Sequence, residues 1–200
     1  MIWNIFSFGG CNINGAIFNN VNVNIGEHYP TTVKEVYGGG NNASITPDTT
    51  EVIVNVYQHA TVNNAFNGGN NAGIEGNNAN TKREINIKGA TIKECVYGGS
   101  NSSGPLTETH VNCTDGATIG SVYGGGYGTG AIITSSTDVN ITGCSILSNV
   151  YGGGNAGEVK GPTDVDINNS NAANVYGGGM AANVSTADVA ITGSTISKNV

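Results

Sequence analysis

The residues best suited to chemistry form a row of polar side chains, each in front of the apolar triplet of its repeat, over five repeats of the chain. Paired carboxylates can serve as general acid and general base in glycoside hydrolysis. Carboxylate oxygens are also ligands that Ca²⁺ prefers, so Asp138, Asp164 and Asp188 form a candidate calcium site. The alternative is an exposed row neutralised by water and counterions. The members of the row are Glu84, His110, Asp138, Asp164 and Asp188.

A second candidate set consists of aromatic residues, each followed by glycines. If the valine in front of each ring points into a core, the ring points outward, and rings of successive units form a stacked row. Exposed aromatic faces suit sugar rings or a partner protein. The alternative is that the rings only pack, inside the core or beneath the segments that follow. The candidate ligand-binding residues are Tyr37, Tyr97, Tyr123, Tyr151 and Tyr176.

Both sets recur because the chain is built from repeats. An aromatic residue stands at positions 8, 37, 66, 97, 123, 151 and 176, so one unit takes 25 to 31 residues. An apolar-Asn-apolar triplet such as Val139-Asn140-Ile141 precedes the aromatic residue, and a Thr-Val or Thr-Ile pair lies between the two. Alternation with a period of two and many β-branched residues is typical of strands. Each unit is therefore predicted to hold two strands that cannot bury their apolar face alone.

Glycine marks the predicted turns. Gly89, Gly116, Gly143 and Gly193 follow the first strand of their units, and a run of glycines ends the second strand. Glycine reaches backbone conformations that are closed to other residues, which suits corners that recur in every unit. The stretch from the glycine run to the next triplet varies in length and is predicted to form loops. These predicted variable loops are 41–51, 67–83, 100–109, 127–137 and 155–163.

Stacking of the units predicts a right-handed parallel β-helix, an all-β solenoid of about seven rungs that takes residues 1–200 as a single array. Right-handedness is favoured by the irregular length of the rungs. Equivalent residues would lie in columns about 4.8 Å apart, with valines and isoleucines inside. An asparagine column (Asn24, Asn55, Asn86, Asn112, Asn140) would form a ladder of amide hydrogen bonds. A β-sandwich is the alternative, whereas propeller blades need units of about 40 residues or more.

Composition narrows the range of partners. The net charge is −7 and Arg83 is the single arginine, which argues against a nucleic-acid partner. No apolar run approaches the roughly 20 residues that span a bilayer. The four cysteines are too sparse for a disulfide framework, and Cys113 and Cys144 replace small or apolar core residues. Because the chain opens inside a unit and stops where the next aromatic residue would be due, we expect a segment of a longer repeat protein.

The string NVYGGGNAG at 149–157, followed by TDVDI at 163–167, resembles a repeat of very large secreted proteins from anaerobic, host-associated bacteria. Those Val-Tyr-Gly-Gly-Gly repeat proteins are described as surface or adhesin-like, and they resemble the pectate-lyase-type right-handed β-helix. The resemblance covers nearly the whole chain. It implies this fold and a secreted or cell-surface location. It implies no activity, because one fold hosts many functions.

These observations predict a non-catalytic structural or adhesive module, a rigid rod whose variable loops bind a glycan or a host or partner protein. No cofactor is expected, apart from Ca²⁺ at the aspartate row. Open solenoid ends would contact neighbouring repeats of the same longer chain or would self-associate. The alternative is a carbohydrate-active β-helix enzyme, either a polysaccharide lyase or hydrolase or a phage tail depolymerase. An Arg-x-Lys sequence is absent, and only Lys160 lies near the carboxylates in sequence, which argues against catalysis.

Overall fold

The structure is a computed structural model that describes residues 5–14, 17, 20–45, 51–74 and 82–200. These residues form sixteen strands in two parallel sheets and contain no helix. One sheet carries the asparagine column and is called the asparagine sheet; the other carries the aromatic column and is called the tyrosine sheet. In each unit the chain passes through one strand of the asparagine sheet and then through the tyrosine sheet.

The asparagine sheet has seven described strands and the tyrosine sheet has nine. The asparagine sheet contains β2 (Val21–Ile25), β4 (Val52–Tyr57), β6 (Arg83–Lys88), β8 (Thr109–Thr114), β10 (Thr137–Thr142), β13 (Thr163–Asn168) and β15 (Ala187–Thr192). The tyrosine sheet contains β1 (Phe6–Phe8), β3 (Thr31–Tyr37), β5 (Ala60–Phe66), β7 (Thr91–Tyr97), β9 (Thr118–Tyr123), β11 (Ser145–Ile146), β12 (Asn149–Tyr151), β14 (Asn171–Tyr176) and β16 (Thr195–Asn199). The short strands β11 and β12 belong to one rung and both pair with β9 and β14.

Neighbouring strands come from successive units, and their register aligns like with like. Asn55 of β4 lies opposite Asn86 of β6, and Val54 lies opposite Ile85. This pattern makes the chain an all-β parallel β-solenoid of about six turns, which confirms the predicted fold class. The right-handed sense of the coil stays a prediction.

The core is a continuous apolar column inside the solenoid. Alternate residues of the asparagine sheet point inward, so that Val139 and Ile141 are fully buried while Asn140 between them lies on the outer face. Cys113 takes an inward position opposite Ile141 and is fully buried, and Cys144 is buried as well. Both are free thiols, as are the other two cysteines. The interpretation of Cys113 and Cys144 as small core residues is therefore confirmed.

The predicted variable loops also contribute to the core, a role that their sequences do not predict. Parallel bridges join Ile45 to Ile74, Leu106 to Ile133, and Ile133 to Val159. All five side chains are buried. The described parts of these segments thus form a short third side of the coil. Residues 46–50 and 75–81 of two of the predicted loops lie outside the described residues.

The corner glycines adopt the backbone conformation that was predicted for them. Gly89, Gly116, Gly143 and Gly193 have φ values of 70°, 77°, 66° and 59°. Non-glycine side chains rarely adopt this left-handed region, although Asn169 does so at the matching corner, with φ of 48°.

The glycine runs have a different cause. None of the glycines at 124–126 or 152–154 has positive φ. A Cβ on Gly124 would collide with the carbonyl oxygen of Gly152 in the next rung, and one on Gly125 would lie 2.7 Å from the nitrogen of Gly154. The runs therefore allow successive rungs to approach closely, and they are not needed for special dihedral angles.

The asparagine ladder is present on the outer face of the asparagine sheet. The amide nitrogen of each residue donates to the side-chain oxygen of the asparagine one rung before it, at 3.0 to 3.4 Å. The bonds run in order through Asn24, Asn55, Asn86, Asn112 and Asn140. The ladder confirms the predicted column and ties together the five rungs from β2 to β10; in the next two rungs Asp166 and Ala190 take the position.

Candidate functional site

The aromatic residues at the ends of the tyrosine-sheet strands form one continuous stack. Ring centroids of neighbours are 4.8 to 5.0 Å apart, and their planes differ by 4° to 14°. This spacing follows from in-register parallel strands, which repeat about every 4.8 Å. The members are Phe8, Tyr37, Phe66, Tyr97, Tyr123, Tyr151 and Tyr176.

This aromatic stack lies outside the aliphatic core and forms a buried cluster of its own. Tyr37 is 1% exposed, whereas Tyr176 at the end of the stack is 37% exposed. Of the five tyrosines predicted to bind a ligand, four are thus buried and Tyr176 exposes a substantial part of its ring. Ligand binding by these residues stays a prediction, and Tyr176 is the member with an accessible surface.

Burial raises the pKa values of tyrosines in the aromatic stack. Desolvation raises the pKa of Tyr123 to about 12 and raises the pKa of Tyr37 and Tyr97 further above the usual value for tyrosine. The pKa of Tyr151 is raised for the same reason. The phenols therefore stay neutral at physiological pH and act as hydrogen-bond donors. The Tyr37 hydroxyl donates to Glu35 Oε2 at 2.8 Å.

The acidic row predicted from the sequence lies on the outer face of the asparagine sheet, in register. Asp138 pairs with His110 on one side and with Asp164 on the other, and Asp164 pairs with Asp188. The row borders an open groove with a volume of about 680 Å³. Other groove residues include Thr137 and Pro162.

Within this groove the charges are not equivalent. His110 Nδ1 lies 3.2 Å from Asp138 Oδ2, and the hydrogen bond to Asp138 raises the pKa of His110. The amide of Asn140 donates to the other oxygen of Asp138 at 2.9 Å. Asp164 has a raised pKa through desolvation, followed by the negative charge of its neighbours, first Asp166. Because Asp164 is exposed, solvent screens this effect.

The three aspartates of the predicted calcium site lie in one row but do not form a cluster that could hold a metal ion. The structure brings Asp138, Asp164 and Asp188 onto three consecutive strands. Among the residues that the structure describes, no three His, Cys, Asp or Glu side chains lie close enough together to hold a metal ion. Calcium binding by the row would therefore require these side chains to turn toward one another, and it stays a prediction.

A second pocket lies over the aromatic stack and was not foreseen from the sequence. It has a volume of about 280 Å³, and its lining includes Phe66, a ring without a hydroxyl that stands between Tyr37 and Tyr97 in the stack. The signals in the sequence are Phe66 itself and the acidic residues shortly before the two flanking tyrosines. The lining residues are Glu35, Asn64, Phe66, Glu94, Cys95, Tyr97, Asn101 and Tyr127.

No protein-family model, curated protein or solved structure matches the chain. In the parts of the chain that the structure describes, no helix is long and apolar enough to cross a membrane.

Proposed function

We propose that this chain is a non-catalytic structural and adhesive module of a secreted or cell-surface repeat protein. The observation that carries the proposal is the continuous parallel stacking of the rungs, which is in register throughout the asparagine sheet and has local register shifts in the tyrosine sheet. Seven strands spaced about 4.8 Å apart give a rod segment of about 30 Å. Hydrogen bonding along the whole segment and ladders on both outer faces make such a rod stiff.

The connecting segments are the surface on which adhesion would depend. These segments vary in length, whereas the strands of the asparagine sheet are all five or six residues long. Each segment holds an apolar residue, such as Ile133, that fixes it to the core. Tyr127 on one of these segments is 48% exposed. Anchored segments with exposed tips can change in sequence without disturbing the scaffold, which suits recognition of a glycan or a partner protein.

The resemblance of the chain to adhesin-like Val-Tyr-Gly-Gly-Gly repeats supports the same proposal. In such an assembly, the open ends of the solenoid would meet neighbouring repeats. At one end, β15 and β16 each pair with a single described strand. Unpaired strand edges invite further strands, so a following repeat or a second copy would continue both sheets.

The test is binding of the whole chain to arrays of glycans and of candidate host surface proteins. We expect retention on at least one array without chemical change of the ligand. A variant with Ser102→Ala, Thr129→Ala and Glu158→Ala, all on exposed segment tips, should bind less, while Thr142→Ala on β10 should bind normally. Release of shortened or unsaturated products from a polysaccharide would overturn the proposal of a non-catalytic module.

One observation favours the enzymatic alternative. Asp138 and Asp164 lie on adjacent strands of the groove, and the two carboxyl groups of retaining glycosidases are about 5 to 5.5 Å apart. A raised pKa at Asp164 would suit a general acid next to an ionised neighbour. If polysaccharide cleavage is detected, Asp164→Asn should abolish it, whereas Asp188→Asn should retain most of it.

A further inference from the structure

The pocket over Phe66 is lined by two carboxylates, Glu35 and Glu94, and each of them is held by a hydrogen bond. On one side, Glu35 is held by the Tyr37 hydroxyl through Oε2. On the other side, Glu94 Oε2 accepts from the amide of Asn64 at 2.6 Å, and Asn64 in turn accepts from the backbone nitrogen of Cys95. These bonds fix the two carboxylates on β3 and β7, the strands on either side of β5, which carries Phe66.

The groups that remain available in this pocket are mainly acceptors. Within the described part of the chain, no donor reaches Oε1 of Glu35 or of Glu94. The Asn101 amide nitrogen is used by Asn70 and by the Tyr37 hydroxyl, at 2.8 and 3.4 Å, which leaves its side-chain oxygen. No described residue of the lining is basic. The pocket therefore presents several acceptors and a negative field.

Aromatic and apolar surface completes the pocket. Phe66 and Tyr97 lie at its base, and Tyr127 stands edge-on to Tyr97, with ring centroids 5.7 Å apart. Burial raises the pKa of the Cys95 thiol, so this side chain adds no charge. A ligand that matches this lining has an apolar stem for the rings and a cationic head with several N–H donors for the carboxylates.

We propose that this pocket binds the lysine side chain of a partner protein. A lysine ammonium carries three donors and no acceptor, and its four-carbon stem packs on apolar surface. A sugar is a poorer match, because its hydroxyl and ring oxygens also need donors, which this lining offers mainly through Tyr127. The proposal rests on the adhesive function and specifies one kind of partner for it, consistent with the net charge of −7.

The test is an NMR titration of the whole chain with Nα-acetyl-lysine methylamide, with its Nε-acetylated form and with glucosamine. We expect the lysine derivative to shift the signals of Asn64, Asn101 and Tyr127, and the Nε-acetylated form to leave them in place. Stronger binding of glucosamine than of the lysine derivative, or equal shifts with the acetylated form, would overturn the proposal.

Variants test whether the lysine derivative binds in this pocket. Glu35→Gln and Glu94→Gln should each weaken binding about tenfold, since each removes one charge-assisted hydrogen bond. The matched control Glu27→Gln makes the same change of charge at an exposed position outside the variable segments and the pocket lining, and it should bind normally. Phe66→Tyr restores the hydroxyl found in neighbouring rungs, keeps the stack and should fill the pocket. Normal binding by Phe66→Tyr or by both Glu variants would contradict the site.

This outcome is separable from that of the adhesion experiment. If the chain binds the lysine derivative but no array ligand, the lysine site is supported and the adhesive function is refuted. If the chain binds an array glycan but not the lysine derivative, the adhesive function is supported and the lysine site is refuted.

Discussion

The hydroxyl of Thr137 donates to the carbonyl oxygen of Gly152 at 2.6 Å, inside the coil. The same bond joins Thr109 to Gly124 and Thr163 to Gly177. Each threonine begins a strand of the asparagine sheet, and its acceptor is the first residue of the glycine run that ends the tyrosine strand of the same unit. The bond therefore links the start of a rung to its end and satisfies a carbonyl in the interior.

Replacing this threonine tests the bond. Thr137→Val should lower the free energy of unfolding by about 1 to 3 kcal/mol, because it leaves the Gly152 carbonyl without its donor. Valine fits the position, since Val52 occupies it in an earlier rung. Urea denaturation measures the change, with the exposed Thr142→Val on the same strand as the control. Equal stability of the two variants would show that the buried bond contributes nothing.

Two glycine substitutions distinguish the two roles of glycine in this fold, which are the left-handed backbone at the corners and the close approach of successive rungs. Gly143→Ala places a Cβ in open space at a φ of 66°, so it should cost about 1 kcal/mol. Gly124→Ala drives its Cβ into the backbone of the next rung and should cost about 3 kcal/mol or more. Thermal and urea unfolding of the two variants provide the comparison. A smaller loss for Gly124→Ala than for Gly143→Ala would contradict the packing explanation of the glycine runs.

The buried stack predicts loss of stability at alkaline pH. In the folded chain the pKa of Tyr123 is raised to about 12, and burial also raises the pKa of Tyr37 and Tyr97. Above pH of about 10 the unfolded chain releases these protons while the folded chain keeps them. Stability should therefore be full below about pH 10 and fall as the pH rises toward 12. Denaturation at a series of pH values, with phenolate absorbance followed in parallel, measures the effect.

Variants assign the alkaline effect to the stack. Tyr123→Phe removes one of the shifted groups and should make the decline shallower. Tyr29→Phe changes a tyrosine that is largely exposed and lies outside the stack, and it should leave the decline unchanged. Identical pH profiles for the two variants would disprove the assignment.

The His110–Asp138 pair predicts a second pH dependence, which has the same sign as that of the tyrosines but lies at lower pH. The hydrogen bond to Asp138 raises the pKa of His110, so the pair stabilises the fold fully below about pH 6.5, the unfolded value. This contribution is lost as the pH rises through the raised pKa of the folded chain. The contribution is modest because solvent reaches both side chains.

NMR titration of the three histidines checks this prediction. Asp138→Asn should lower the pKa of His110, because it removes the charged acceptor. Asp188→Asn, two strands away from Asp138, should have a smaller effect. An unchanged His110 pKa in Asp138→Asn would show that the contact does not hold in solution.

The open end of the coil predicts self-association of the 200-residue chain. Val189 and Ile191 of β15 pack against the core yet remain partly exposed, and the strand pairs with one described neighbour, β13. Sedimentation velocity should show association that increases with concentration. Val189→Lys places a charge on this open end and should reduce the association, whereas Thr142→Lys adds the same charge at an exposed position of the inner strand β10 and should not reduce it. A monomer at all concentrations would contradict the prediction.

Several parts of the structure could be predicted from local pattern alone. The alternation around Asn140 fixes which face of the strand is buried, and its recurrence at Asn55 and Asn86 predicts the ladder. Gly143 marks a corner because a glycine recurs after the first strand of other units, at Gly89, Gly116 and Gly193. Such features depend on spacing within a unit and on the repetition of that unit, and both are visible in the chain.

Other parts required the stacked rungs. Ile133 looks like a loop residue in the sequence, and it joins the core because the rungs above and below supply Leu106 and Val159 as partners. The glycine run at 124–126 resembles a turn signal, yet its cause is the backbone of the next rung. Neither feature can be predicted from the residues of one unit alone.

The sequence by itself determined the periodic elements of this protein: two strands per unit, the aromatic and asparagine columns, and the parallel coil that stacks them. The tertiary structure alone decided which tyrosines are covered and that Glu35 and Glu94 face one pocket across Phe66. The physical reason is that alternation specifies a face within one strand. Burial and pocket shape depend on side chains contributed by different rungs, far apart along the chain.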